Sequence, residues 1–238
     1  MDAANAEPSV SAVVPLEGRG PLVYEVLHGR PLYVTAVRHV LDVAPDAVVL
    51  VSAGQRARVV EDLAAAGLRA PVLDAEQWWA SLAAGAARAL LVHDPLCPLA
   101  PPDLMARVCG QDAGTSVAAV RPVTDTVKVA EAGRITGTID RQTLAAVASP
   151  LLVAAPVLAR ALAAGDRPPL DDVARLVAWM RERGPVELLT APAIARRVDD
   201  VGAVHLLEAV DELGRQLRLE RRAVAVSDAP GSTTPGPA

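Results

Sequence analysis

The sequence predicts a doubly wound α/β domain on a mostly parallel sheet, with a β-hairpin arm projecting from it. Short β-branched runs alternate with segments whose apolar residues recur at helical spacing, the pattern of parallel strands covered on both faces by crossover helices. The chain has 238 residues, 52% of them hydrophobic, enough to bury one such core. After the fifth strand the pattern changes to two short β-like pieces around an Ala132-Gly133 turn, which reads as a protruding hairpin.

In chain order, the strands are expected at Ala12–Pro15, Ala47–Ala53, Pro71–Asp74, Ala89–Asp94 and Ser116–Val123. Between them Leu32–Val43, Gln55–Ala66, Glu76–Ala84 and Pro102–Gln111 carry helical periodicity, with Pro102 suited to a first helical position and Gly67 to a helix end. The arm occupies about 124–148, its strands at Val127–Ala130 and Ile135–Ile139. Helices follow at Leu151–Ala164 and Leu170–Arg183, then a strand at Val186–Leu189 and a closing helix from Asp200 to Leu219. This is a Rossmann-like arrangement, in which ligands bind outside the carboxyl ends of the strands. It places Pro15–Gly20, Asp74–Gln77 and Asp94–Cys97 around one cavity. A flexible N-terminus over 1–10, a single domain over 11–219 and a disordered tail over 220–238, whose end is rich in Ser, Thr, Pro and Gly, complete the expected organisation.

Composition narrows the function classes. Formal net charge is −5 and the basic residues are scattered, so the sequence predicts no nucleic-acid partner. The acidic start lacks the features of a signal peptide, and the richest apolar segment, Leu144–Ala164, is broken by Pro150 and Pro156; a soluble cytoplasmic protein without a membrane partner is expected. Cys97 and Cys109 match no metal spacing and read as structural thiols.

The chemistry-bearing stretches are Leu91-Val92-His93-Asp94-Pro95, Arg121-Pro122-Val123-Thr124-Asp125-Thr126-Val127-Lys128 and Thr138-Ile139-Asp140-Arg141, with Pro101-Pro102-Asp103-Leu104 between the first two. Their order and spacing resemble the 2-C-methyl-D-erythritol 4-phosphate cytidylyltransferases, nucleotidyltransferases of isoprenoid biosynthesis by the MEP pathway, over nearly the whole chain to about residue 219. The resemblance implies the nucleotidyltransferase type of fold, CTP as substrate, Mg²⁺ as cofactor, and a homodimer interlocked through the arm at 124–148. It also implies that Asp94 is the metal ligand, with Pro15, Gly18 and Ser81 on the nucleotide and Thr126, Arg141 and Ser149 on a phosphorylated substrate. Arg19 and Arg197 are the candidate catalytic cations.

The departures are concentrated in that site. Lys128 is the only lysine of the chain. The family's glycine-rich turn is shortened to Gly18-Arg19-Gly20, and its Pro-Lys pair falls on Pro21-Leu22, where leucine brings no charge. The two glycines at the third strand become Asp74-Ala75, and Asp74 would repel phosphate. An arginine beyond the fourth strand becomes Cys97. Simpler roles compete at each site: a turn or helix cap for Asp94, an interface salt bridge for Arg141, core packing for Trp78 and Trp79, and a helix N-terminal charge for Asp171-Asp172. The losses favour an impaired or inactive, dimeric homologue. One alternative is an active CTP-dependent enzyme acting on 2-C-methyl-D-erythritol 4-phosphate or another alcohol phosphate. The other is a binding module whose altered cleft is lined by Trp78 or Trp79 and holds a different ligand.

Overall fold

The computed structural model describes residues 10–85, 88–112 and 114–227. Seven strands form the main sheet: β1 (Val10–Pro15), β4 (Val48–Leu50), β5 (Val72–Leu73), β6 (Ala89–Val92), β7 (Ser116–Pro122), β10 (Ala145–Val153) and β11 (Val186–Thr190), in the order β11-β7-β10-β6-β1-β4-β5. β1 pairs parallel with β4 and β6, β4 with β5, and β7 with β11, whereas β10 runs antiparallel between β6 and β7. Two hairpins stand apart: β2 (Val26–Leu27) with β3 (Arg30–Pro31), and β8 (Val127–Glu131) with β9 (Arg134–Ile139).

Successive residues along a strand face opposite sides of a sheet, and both sides here are buried. On one face Val14, Val49, Leu91, Val117 and Leu152 join α1 (Leu32–Leu41), α2 (Arg56–Ala65) and α4 (Pro102–Cys109). On the other, Val13, Leu50, Leu90, Val92, Ala118 and Leu151 join α3 (Ala75–Ala84), α5 (Ala155–Ala163) and α6 (Val173–Arg183). Helix starts follow local chemistry: Pro102 and Pro156 sit in first turns, the Asp74 carboxylate caps α3 by accepting from Gln77 N, and that of Asp172 caps α6 by accepting from Ala174 and Arg175 N. The bland reading of Asp172 is therefore the observed one.

Three expectations about elements need correction. Leu151, expected to open a helix, lies within the nine-residue strand β10; its helix begins at Ala155. An apolar run buried on both faces carries no period to separate strand from helix, and Pro150 argued against a central strand. The register of β10 against β7 shifts between Val147 and Leu151, and that irregularity accommodates the proline. The β2–β3 hairpin was not foreseen. The closing helix α7 runs Val201–Ser227, so the first residues of the expected tail are helical; 228–238, like 1–9, lie outside the described residues.

The arm is a hairpin with Val127 opposite Ile139, turning at Ala132 and Gly133 with φ 47° and 77°, the paired positive φ values of a tight β-turn that suits strand twist. Ile135 and Ile139 remain 69% and 38% exposed on it. No helix among the described residues is long and apolar enough to cross a membrane.

Candidate functional site

β1 lies between β6 and β4, so the chain leaves the carboxyl ends of β1 and β6 in different directions and opens a crevice there. Three segments meet in it. Residues 16–20 follow β1, 93–100 follow β6, and 191–200 come in after β11, anchored where Val198 N donates to Leu96 O at 2.8 Å.

Asp94 is at the centre. Its Oδ1 accepts from Arg19 Nε at 2.8 Å and from Leu96 N at 3.1 Å, and its Oδ2 accepts from Arg197 Nε at 2.9 Å. Its side chain is wholly buried, that of Arg19 is 2% exposed and that of Arg197 is 35% exposed. Arg19 is consumed by the fold, because Nη2 donates to Leu170 O at 2.9 Å and Nη1 to Asp171 O. Arg197 also reaches Asp199 Oδ1 at 3.3 Å. Burial works against the Arg197 charge, and Asp94 together with Cys97 and Asp199 more than offsets it, leaving its pKa above the ordinary value.

The shortened turn is filled from within. Gly18 has φ +76° and lies against Asp171: a Cβ on it would come within 2.7 Å of the Asp171 Cβ and 2.9 Å of its carbonyl oxygen. Gly18→Ala is therefore expected to cost more than about 1 kcal/mol, through both the left-handed backbone and the clash. Urea denaturation checks this, and an unchanged midpoint would mean that the turn does not pack there.

Beneath Asp94, Ser149 is fully buried on β10. Its Oγ accepts from Asp94 N at 2.8 Å and meets His93 Nδ1 at 2.7 Å. The hydroxyl assigned to a substrate is engaged in holding the Asp94 backbone. His93 is completely buried with Nε2 unpartnered, and its pKa is lowered to about 3, first by burial. Cys97 and Cys109 are free, and burial pushes the Cys97 thiol well up and Cys109 to about 11, so neither is a nucleophile.

The structure thus brings together Pro15, Gly18, Arg19, Asp94, Ser149 and Arg197. It separates Ser81, whose Oγ donates to Trp78 O, and which borders a cavity of about 820 Å³ with Val10, Ser11 and Arg88 at the opposite, amino ends of the strands. Trp78 borders that same cavity, not the altered cleft, and both tryptophans are buried, their ring centroids 4.5 Å apart. Thr126 and Arg141 are exposed on the arm, with Arg141 Nη1 donating to Thr124 O. Sequence reasoning missed Leu170 and gave Asp171 only a helix N-terminal role; both act on Arg19 through backbone carbonyls, which leave no mark on residue type.

The donor set does not fit a divalent cation. Each Asp94 oxygen faces a guanidinium, and among the described residues no group of three or more His, Cys, Asp or Glu side chains is placed to hold a metal.

The model of one protein family, described as 2-C-methyl-D-erythritol 4-phosphate cytidylyltransferase, matches residues 16–184. A Nocardia farcinica protein bearing that name is 35% identical over 215 residues, 83% of this chain and 92% of its own. One from Rhodococcus jostii is 45% identical over 100 residues, 40% of this chain and 42% of its own length. Among solved structures, the cytidylyltransferase of Thermus thermophilus superposes with TM-score 0.67 at 23% identity, over 86% of this chain and 99% of that one. The 4-diphosphocytidyl-2C-methyl-D-erythritol synthase of Anaerococcus prevotii gives 0.65 at 13%, over 85% and 98%. These two likenesses show a shared fold.

Proposed function

The chain belongs to the 2-C-methyl-D-erythritol 4-phosphate cytidylyltransferase family, and from that premise we propose that it is a member whose nucleotide cleft is held shut by its own side chains and which does not turn over CTP. The observation that carries the reading is the sealed carboxylate: Asp94 is buried between Arg19 and Arg197, and the Arg19 guanidinium is spent on Asp94, Leu170 and Asp171.

Transfer of a cytidylyl group onto an alcohol phosphate spreads charge over phosphoryl oxygens, and catalysis is largely positioning with preorganised cations. Here Leu22 and Cys97 stand where the resemblance puts a lysine and an arginine, and Arg19 faces inward. Loss of one such donor commonly costs about a hundredfold to a thousandfold in rate, so several together leave little. Mg²⁺ has no ligand set in this reading. The homodimer through 124–148 is part of the proposal, supported by the exposed Ile135 and Ile139 of the arm, with Thr126 and Arg141 presented to the neighbouring subunit.

Calorimetric titration with CTP, with and without Mg²⁺, tests the reading. No heat at millimolar CTP is expected from the folded protein. Micromolar, Mg²⁺-dependent binding that is lost in Arg197→Ala would overturn it and favour an active enzyme using Asp94, Arg141 and Arg197.

A further inference from the structure

The cavity at the amino ends of the strands lies across the sheet from Asp94 and shares no lining residue with the crevice. Its volume of about 820 Å³ falls in the range of small-molecule sites. Strand alternation sets its inner wall. Val13 of β1, Leu50 of β4 and Leu90 of β6 face α3, so Ser11, Val48 and Arg88, each two residues nearer the amino edge, are on the same side. Leu73 of β5 continues that wall, and Trp78 and Leu82 of α3 stand over it. The body of the cavity is therefore apolar, and the buried Trp78 is its one aromatic lining residue among those described.

Its polar groups say what the apolar body carries. Arg88 and Ser11 come from neighbouring strands on one face, since β1 and β6 register Ser11 with Leu90. Neither side chain enters a hydrogen bond or ion pair among the described residues, whereas the Ser81 hydroxyl is spent on Trp78 O. A guanidinium and a hydroxyl left unspent beside an apolar wall are donors for an oxyanion, and a planar carboxylate matches the guanidinium fork. Asp46 and Arg88 are the charged lining residues among those described, so their formal charges cancel. Such a rim suits a single negative charge and disfavours a polyanion such as a nucleotide.

We propose that this cavity is a binding site for a flat apolar monocarboxylate, its ring beside Trp78 and over Val48, its carboxylate on Arg88 and Ser11. The site is independent of the reading of Asp94, and stands whether or not the crevice turns over CTP. It also relocates the tryptophan-lined ligand site that the sequence placed in the altered cleft.

Calorimetric titration of the full chain with 2-naphthoate, and with 2-naphthylmethanol as its uncharged counterpart, tests the assignment. The acid is expected to bind with a Kd below about 1 mM, and the alcohol about tenfold more weakly, because a charge-assisted pair is lost. Arg88 is exposed, so Arg88→Gln leaves the core intact; it is expected to weaken the acid by about tenfold and to leave the alcohol unchanged. Arg197→Ala, in the crevice, is expected to bind the acid as the wild type does. No heat from the folded wild type at millimolar acid, or equal affinities for acid and alcohol, would overturn the proposal. So would an Arg88→Gln variant that binds the acid unchanged, or a loss in folded Arg197→Ala, which would put the acid in the crevice instead.

Discussion

Asp94→Ala is expected to lower stability by about 3–5 kcal/mol, because removing one partner of a buried ionic group leaves the others uncompensated. Arg19, 2% exposed, would keep a charge with only backbone carbonyls for company, and Arg197 would lose its hold on the crevice. Three segments are tied through this one carboxylate, 16–20, 93–100 and 196–199, and Arg19 links a fourth, 170–171, through its own guanidinium. For a domain of this size each kcal/mol moves the midpoint by ~2–4 °C, so the loss should appear as a melt lowered by ~10 °C. Asp94→Asn, which keeps the shape without the charge, should lose nearly as much. A cost below about 1 kcal/mol, the range of exposed pairs, would show that the carboxylate is not enclosed by the two guanidiniums. Mg²⁺ supplies a second discrimination. A ligand that binds only the folded state raises its stability by mass action, so a melt indifferent to Mg²⁺ fits an ion-paired Asp94, and a rising one restores it as a cation ligand.

How much of this was legible beforehand depended on what each feature leaves in the sequence. β1, β6 and β7 are apolar runs bounded by turn residues, and their positions followed from that. β10 is no less buried, but its Ala, Ser and Pro content mimics the entry to a helix, and the register irregularity that admits Pro150 is a tertiary fact. Asp94 is legible through the resemblance, which places the family's metal-binding aspartate at the end of that strand, and Arg19 because it survives in the shortened turn. Neither residue type says which way the guanidinium points. A deletion in a loop likewise says that space has opened without naming what fills it, and the filling here is the backbone of Leu170 and Asp171. Ser81 was misplaced for a geometric reason. It lies seven residues beyond Asp74 along α3, and at 1.5 Å per residue that carries it ~10 Å away from the carboxyl edge of the sheet.

Acid should unfold the protein through His93, beginning well above the ordinary carboxylate range. Burial holds its folded pKa down to about 3, the nearby Asp94 charge pulls the other way, and His39 adds to the depression. In the unfolded chain the imidazole titrates near its model value of 6.5. Between those two values the unfolded state binds a proton that the folded state refuses, so stability falls as pH falls from 6.5 towards 3. At 1.36 kcal/mol per unit the loss is about 2 kcal/mol by pH 5 and about 5 kcal/mol over the whole window. His39, also lowered by burial, acts in the same direction. Asp166 and Asp172 have lowered folded pKa values, so the stability they contribute is present above 3.8 and is lost only below it, at the acid end of the range. The upper part of the slope therefore belongs to the histidines, and a substitution isolates His93. His93→Gln keeps a hydrogen-bonding partner for the Ser149 hydroxyl and cannot be protonated. Urea denaturation of both proteins at pH 7, 6 and 5 should show the variant less stable at pH 7 but flatter with pH, by about 1.4 kcal/mol per unit below 6.5. Parallel slopes would mean that the imidazole is reached by water and takes up its proton without unfolding, contrary to its burial beneath the Arg19–Asp94–Arg197 cluster.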